Sequence, residues 1–226
     1  VAVVIGETVA AAQDGAEAVA VEYAERTAVV DAKAAVEPGA PQVHPEAPGN
    51  IAVDWPGLHP DAEANAKEVE RVIASAKHVA RVSLRHSRLN VASMEPRGAT
   101  ASYDAAADLF TLRVCSQGAR AMRDSMAGVL KIGNDKIRII TEEVGGAFGL
   151  KTGPYPEYIA ICAAAKKLGR PVYWIGGRSE AFLTDNHARD AWSEVDLALD
   201  EKGRFLALRI RHIGNMGAYI GAVGAN

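Results

Sequence analysis

The sequence predicts an α+β fold, and three observations carry that reading. Short β-branched or alternating runs mark strands at Thr100–Tyr103, Leu109–Val114, Lys136–Ile140 and Val172–Ile175. Helical stripes stand between some of these runs but not all, so strict β-α-β alternation is missing. Glu194–Asp200 and Arg204–Ile213 alternate on either side of Glu201-Lys-Gly203, the signature of an antiparallel hairpin.

The chain opens on Val1–Ile5, a β-branched run that reads as a strand. Gly6-Glu-Thr8 leads into an alanine-rich helix reaching about Asp14-Gly15, after which Val19, Val21 and Tyr23 alternate as a half-buried strand. This first unit ends near Asp31. Residues 37–60 hold six of the ten prolines together with Gly39, Gly49 and Gly57, a density that neither helix nor central strand tolerates. That stretch reads as a linker, and a second unit starts around Lys67. Glu68–Leu84 opens without a clear period and becomes a strand through Val79, Val82 and Leu84. In Gly118–Lys131 the residues Met122, Met126, Val129 and Leu130 recur on one helical face. Tyr158, Ile159, Cys162 and Ala163 face one way on a second helix, ended by Gly169 and Pro171. The chain begins without Met and closes on Gly224-Ala-Asn226 straight after a strand-like stretch. Both ends read as those of a segment from a longer polypeptide.

Composition narrows the function classes. Of 226 residues, 49% are hydrophobic and 23% charged, the balance of an ordinary globular chain. The formal net charge of -3 comes from interleaved acids and bases with no basic stripe, so a nucleic-acid surface is not expected. No apolar run reaches the ~18 residues of a membrane span, and no basic leader opens the chain. Two distant cysteines, Cys115 and Cys162, match no metal spacing and point to a reducing, cytoplasmic setting.

The sharpest local signal is Val144-Gly-Gly-Ala-Phe-Gly-Leu-Lys151, which follows one predicted strand and precedes a helix. Backbone N–H groups there are able to face an anion. It is not a P-loop, because Leu150 separates the last glycine from Lys151-Thr152, and adjacent Gly145 and Gly146 break the dinucleotide fingerprint. A tight turn is the plain alternative, yet a bulky Phe148 between glycines points to a loop shaped to hold something. In Met94-Glu-Pro-Arg-Gly98, Glu95 and Arg97 read as a structural ion pair ahead of a ligand contact. Gln117 ends a strand and precedes a helix, where its amide either enters a cleft or is solvated. The histidines form no H-x-x-x-H and no Cys–His cluster, so zinc is not expected. His187 reads as a turn residue, Cys162 as core, and Ser179 lacks the second glycine of a nucleophile elbow.

Taken in order, Met94-Glu-Pro-Arg-Gly98, Ser116-Gln117, Val144-Gly-Gly-Ala-Phe-Gly149, Tyr155-Pro-Glu157, Leu168-Gly-Arg-Pro-Val172 and Leu197-Ala-Leu-Asp200 form a series. This series resembles the large, molybdopterin-binding subunit of the xanthine dehydrogenase, aldehyde oxidase and carbon monoxide dehydrogenase family, over essentially the whole chain. The resemblance implies the C-terminal part of a small α/β hammerhead domain at 1–40 and a linker at 41–67. An incomplete first molybdopterin-binding domain, a mixed sheet with helices, then fills 68–226. It implies an oxidoreductase that oxidises an aldehyde, an N-heterocycle or carbon monoxide with water-derived oxygen at a molybdenum–pterin centre. The cofactor would be in its cytosine dinucleotide form if the chain is bacterial. Gln117 and Phe148 are implied to lie near the molybdenum, and Gly145, Gly146, Ala147, Phe148 and Gly149 to cradle the cofactor.

The same resemblance places iron–sulfur clusters and FAD on other subunits or domains, a further molybdopterin domain downstream, and a dimer of heterotrimers as the full complex. It puts the general-base Glu beyond Asn226, so that the isolated segment would be inactive. A truncated, non-catalytic module for binding or assembly is the alternative. Two departures stand out. Thr152 occupies the position where several purine-oxidising relatives carry a substrate-binding Glu, which argues against xanthine. Ala147 replaces a usual third loop glycine, which is tolerable if its φ is negative.

Overall fold

The computed structural model describes residues 2–57 and 59–220. Its elements are helices and a mixture of parallel and antiparallel strands, an α+β arrangement. The chain divides into two compact units, each built from two separate stretches. One joins Val1–Thr27 to Ala92–Thr184, the other Ala28–Val91 to Asp185–Asn226.

The first unit is organised by a four-stranded sheet of β2 (Gly98–Asp104), β3 (Leu109–Val114), β4 (Ile137–Ile140) and β5 (Val172–Ile175), in the order β4-β3-β2-β5. β2 runs antiparallel to both β3 and β5, whereas β3 and β4 are parallel. A parallel pair needs a crossover, and α4 (Ala119–Leu130) supplies it. One face of the sheet, with Ala101, Phe110, Leu112, Val114, Ile137 and Val172, is buried. α4 lies against β4, and α5 (Pro156–Leu168) against β2 and β5. The topology has a direct consequence. The C-terminal ends of β3, β4 and β5 and the N-terminal start of β2 all arrive at one edge of the sheet.

Both packed helices end on a left-handed residue. α4 ends at Lys131 in the left-handed region (φ 56°), where Ile132 N–H closes onto Ala127 O at 3.0 Å. α5 starts with Pro156 and ends on Gly169 at φ 62°. Their buried faces are rotated from the expected ones. In α4 Ala127 is buried with Met122 and Met126, while Val129 is 56% exposed. In α5 the stripe is Tyr158, Ile161, Cys162 and Ala165, and Ala163 is exposed. In alanine-rich helices small residues reach the sheet where bulkier ones cannot, so hydrophobicity alone misplaces the stripe.

The opening residues depart from the expectation further. α1 (Val9–Glu17) forms, with Thr8 Oγ1 accepting the Ala11 N–H at 3.1 Å. The strands expected on either side do not form among the described residues, where Val3, Val21 and Tyr23 stay exposed; Val1 itself lies outside those residues. Alternation states which face a strand would bury, but a strand exists only with a ladder partner. Here neither segment pairs with any described strand.

The second unit holds an antiparallel sheet of β1 (His78–Leu89), β6 (Ala188–Leu199) and β7 (Phe205–Gly214), with β6 central. The expected hairpin is present. Gly203 turns at φ 75°, and Asp200 Oδ1 accepts the N–H groups of Lys202 and Arg204 at 2.8 and 2.9 Å. α3 (Ala62–Ser75) crosses β6 and β7 and starts ahead of Lys67, with Asp61 Oδ1 accepting the Ala64 N–H at 2.9 Å. Its Glu70 pairs with Arg209, which also pairs with Asp196. The closing stretch that reads as strand-like ahead of Gly224 lies largely outside the described residues.

The burial pattern of α4 is open to test by urea unfolding. Met126→Ala should cost about 2–5 kcal/mol, the usual range for emptying a buried Met site. Val129→Ala, on the exposed side of the same helix, should stay within about 0.5 kcal/mol of the parent.

Candidate functional site

The strand ends gathered at one edge of the first sheet bring three loops together: residues 93–97 entering β2, Ser116-Gln117 leaving β3, and 141–151 leaving β4. In sheets of this kind, ligand sites form outside the carboxyl ends of the strands. The entering loop and the glycine loop are joined reciprocally. Glu95 N–H donates to Gly145 O at 3.0 Å, and Gly145 N–H donates to Glu95 Oε2 at 2.9 Å. Gly145 is required by this approach, since a Cβ there would stand 2.6 Å from Glu95 Cβ.

Lys151 closes the other end of the loop. Its ammonium is fully buried and donates to Glu95 Oε2 at 2.8 Å and to Glu95 O at 2.9 Å. Partial burial pushes the Glu95 carboxyl up. The Lys151 hydrogen bond, the Gly145 N–H and the Lys151 charge together outweigh it and hold the group below the usual carboxylate range. The Glu95–Arg97 pair read from the sequence does not form. Arg97 is instead buried over the Tyr155 ring at 3.6 Å. It bonds Glu157 at 3.1 and 3.3 Å and Thr184 Oγ1 at 3.1 Å. Both true partners come from beyond the glycine loop, Lys151 at its end and Glu157 in the first turn of α5. Local spacing carries no sign of them.

Within the loop the backbone is left-handed at Gly146 (φ 96°), Phe148 (φ 51°) and Gly149 (φ 93°). Ala147 lies outside the left-handed region and is buried, so its side chain costs nothing there. Phe148 is the strained member: a left-handed non-glycine residue costs about 1–2 kcal/mol, and the residue is 78% exposed. Gln117 binds this loop at two points. Its N–H donates to Lys151 O at 3.0 Å, and its Oε1 accepts the Gly149 N–H at 2.8 Å. That second bond sets the orientation of the carboxamide, because a donor must meet the oxygen. The amide nitrogen of Gln117 is thereby left as a donor.

The donor set suits an oxygen-rich group. Among the described residues, no protein acceptor takes the N–H groups of Gly146, Ala147 or Phe148, nor the Gln117 amide nitrogen. Successive free N–H groups beside left-handed residues form a concavity for oxyanions. The backbone is also approachable at Gly149, where a Cβ would meet nothing within 4 Å. The residues present therefore suit a group that offers acceptor oxygen atoms. The loop face is open. A nearby cavity of about 340 Å³ is lined by Glu95, Pro96, Thr100, Arg113 and Cys115 and includes neither Gln117 nor residues 145–149.

Cys162 and His187 stay apart from this edge, whereas Cys115 directly follows β3 and precedes Ser116-Gln117. Cys162 is buried, and desolvation pushes its thiol up to about 12, leaving it unreactive. Cys115 Sγ donates to Gly98 O at 3.5 Å. His187 precedes β6 in the second unit and bonds Asn90 there at 3.1 Å. Among the described residues, no three His, Cys, Asp or Glu side chains could hold a metal ion, and no helix is long and apolar enough to cross a membrane.

Strand ends and a glycine loop with backbone N–H donors gather at one edge of the sheet, the arrangement of a domain that binds an oxygen-rich ligand. Residues 43–225 match the molybdopterin cofactor-binding domain family, and the chain belongs to it. The carbon monoxide dehydrogenase large chain of Hydrogenophaga pseudoflava is 31% identical over 97% of this chain and 28% of its own length. The nicotine 6-hydroxylase large subunit of Paenarthrobacter nicotinovorans is 27% identical over 97% of this chain and 26% of its own. Among solved structures, quinoline 2-oxidoreductase from Pseudomonas putida 86 superposes with a TM-score of 0.76 at 32% identity, covering 91% of this chain and 25% of that one. The chain thus spans roughly a quarter of the length of these relatives.

The lowered Glu95 carboxyl gives a signed pH dependence. A group whose folded pKa is depressed stabilises the fold above its unfolded value, ~4.3 for Glu, and loses that contribution as pH falls through the folded value. The advantage of the parent chain over Glu95→Gln should therefore be constant near neutrality and shrink below about pH 4. Melting temperatures of both proteins across pH 3–7 measure it, and a pH-independent difference would contradict the ion pair.

Proposed function

We propose that this chain supplies one wall of a molybdenum–pterin site in the large subunit of a molybdenum hydroxylase, working as part of a longer polypeptide. The observation that carries the reading is the pairing of Gln117 with the glycine loop. A side-chain amide and three successive backbone N–H groups are left as donors on one open edge. In this reading Gln117 and the Phe148 backbone lie beside the metal, and Gly145, Gly146, Ala147 and Gly149 let the main chain approach the cofactor. When bound, the group would supply two-electron redox chemistry.

The chain's own part is electrostatic and geometric. Fixed amide donors stabilise negative charge that develops on bound oxygen atoms, and they do so without reorganising during the reaction. The left-handed turn at Phe148 and Gly149, tied to Gln117 Oε1, fixes the backbone of the loop. The substrate class is an aldehyde, an N-heterocycle or carbon monoxide. Names among the relatives span carbon monoxide dehydrogenase, nicotine 6-hydroxylase and aldehyde oxidase. Thr152 donates its hydroxyl back to Gly149 O at 3.0 Å, so this position presents no carboxylate to a purine.

Iron–sulfur and flavin groups belong, in this proposal, to partner subunits or domains of a cytoplasmic dimer of heterotrimers. The general base is carried by a further molybdopterin domain. Two free cysteines are too few to ligate a cluster within this chain. Molybdenum analysis and pterin fluorescence of the native complex test the reading, and a complex with neither would overturn it.

Gly146→Val separates a cofactor loop from a plain tight turn. A Cβ at this residue would lie 3.1 Å from the Phe148 ring and 3.4 Å from Ser93 Cβ, at a φ of 96° that β-branched residues avoid. In the assembled enzyme the melting temperature should fall modestly, for a strain of about 1–2 kcal/mol. Turnover per bound molybdenum should fall about a hundredfold, the effect of misplacing reacting groups by about 1 Å. Full turnover per bound molybdenum would show the glycine to be structural only.

A further inference from the structure

We propose that Glu95 and Lys151 are a positioning pair that sets the height of the cofactor loop, an assignment that rests on the function proposed above and deepens it. The Gly145 N–H at the start of the loop and the Lys151 ammonium at its end converge on one oxygen, Glu95 Oε2, at 2.9 and 2.8 Å. The loop from 145 to 151 is thereby closed into a ring whose base is a single carboxylate oxygen. Lys151 also donates to Glu95 O, and Glu95 N–H to Gly145 O, so the base is held by four bonds rather than one. Gln117 is carried by the same closure. It takes its backbone position from Lys151 O and its side-chain orientation from Gly149 N–H.

A fully buried lysine is rare unless it is paired, and the bare stability argument for such a pair is weak. An apolar pair of similar volume often stabilises a fold as well or better. What an apolar pair cannot do is bring two N–H donors from opposite ends of a loop onto one atom. The ammonium is also out of reach of any ligand, since its side chain has no exposed surface. Its influence on chemistry has to pass through the backbone it ties down. Neither residue touches the reacting atoms; both act through Gln117 and the Phe148-Gly149 main chain.

The experiment compares Lys151→Met, the double variant Glu95→Leu/Lys151→Met, and Glu95→Gln in the native complex that contains this chain. Hydrogen–deuterium exchange of the peptide covering 144–152, bound molybdenum, melting temperature and turnover are measured on each. The double variant should regain much of the melting temperature lost by Lys151→Met. Its loop should still exchange about tenfold faster than in the parent, and its turnover per bound molybdenum should drop about a hundredfold. Glu95→Gln keeps an acceptor oxygen for both donors, so its loop exchange and turnover should fall between the parent and Lys151→Met. A double variant with parental loop exchange, or with parental turnover per bound molybdenum, would overturn the proposal and leave the pair a matter of stability. If Lys151→Met does not assemble, Glu95→Gln decides alone: a loop more labile than the parent's, with lower turnover per bound molybdenum, supports the pair, and parental values for both overturn it. A parent complex without molybdenum or pterin would sink the function reading instead, while the exchange data would still report on the ring.

Discussion

The buried ammonium of Lys151 on the Glu95 carboxylate is the interaction on which the rest of the site depends. Taking a lysine out of water costs several kcal/mol, recovered only when good acceptors surround it. Glu95 offers two, its carboxylate and its own carbonyl. The residue that satisfies the charge is therefore also the residue that binds the first glycine of the loop. Desolvation thus forces a geometric result: the two ends of the loop cannot separate without exposing an unpaired cation to the interior.

Sheet topology makes that pairing reachable. β2 is antiparallel to β3, and β3 is parallel to β4. The entrance to one strand and the exits of two others consequently share an edge. Had β4 run the other way, the glycine loop would emerge at the opposite end from Glu95 and Gln117. The α4 crossover that the parallel pair demands is what prevents this. Arg97 anchors the same entering loop, bonded to Glu157 and set over the Tyr155 ring, so the loop is fixed on both sides of Pro96.

Strain and openness then occur where function would call for them. The loop holds a non-glycine residue, Phe148, in the left-handed region and leaves it exposed. Among the described residues, its consecutive N–H groups at 146–148 also meet no protein acceptor. Strain of this kind persists only where the surroundings over-determine it, and the carboxylate-closed ring provides that constraint.

Much of this architecture was legible in the residues. The strands of the first sheet, the α4 and α5 segments, the latter with its Gly169 and Pro171 signals, and the hairpin at Gly203 follow from local pattern and turn chemistry. The candidate loop also stands out locally, because adjacent glycines around an aromatic, after a strand, are unusual on any local account. What the sequence could not determine is every feature that depends on a partner distant in the chain. Val19, Val21 and Tyr23 have a strand's alternation without a ladder to join. Ile159 and Ala163 were expected where Ile161 and Ala165 in fact reach the sheet. Glu95 and Arg97, neighbours across one proline, look like a pair and instead bind Lys151 and Glu157. Sequence patterns report periodicity and backbone freedom, which are local. Which buried charge meets which partner is decided only when the strands set their order, because desolvation punishes any arrangement that leaves one of them alone.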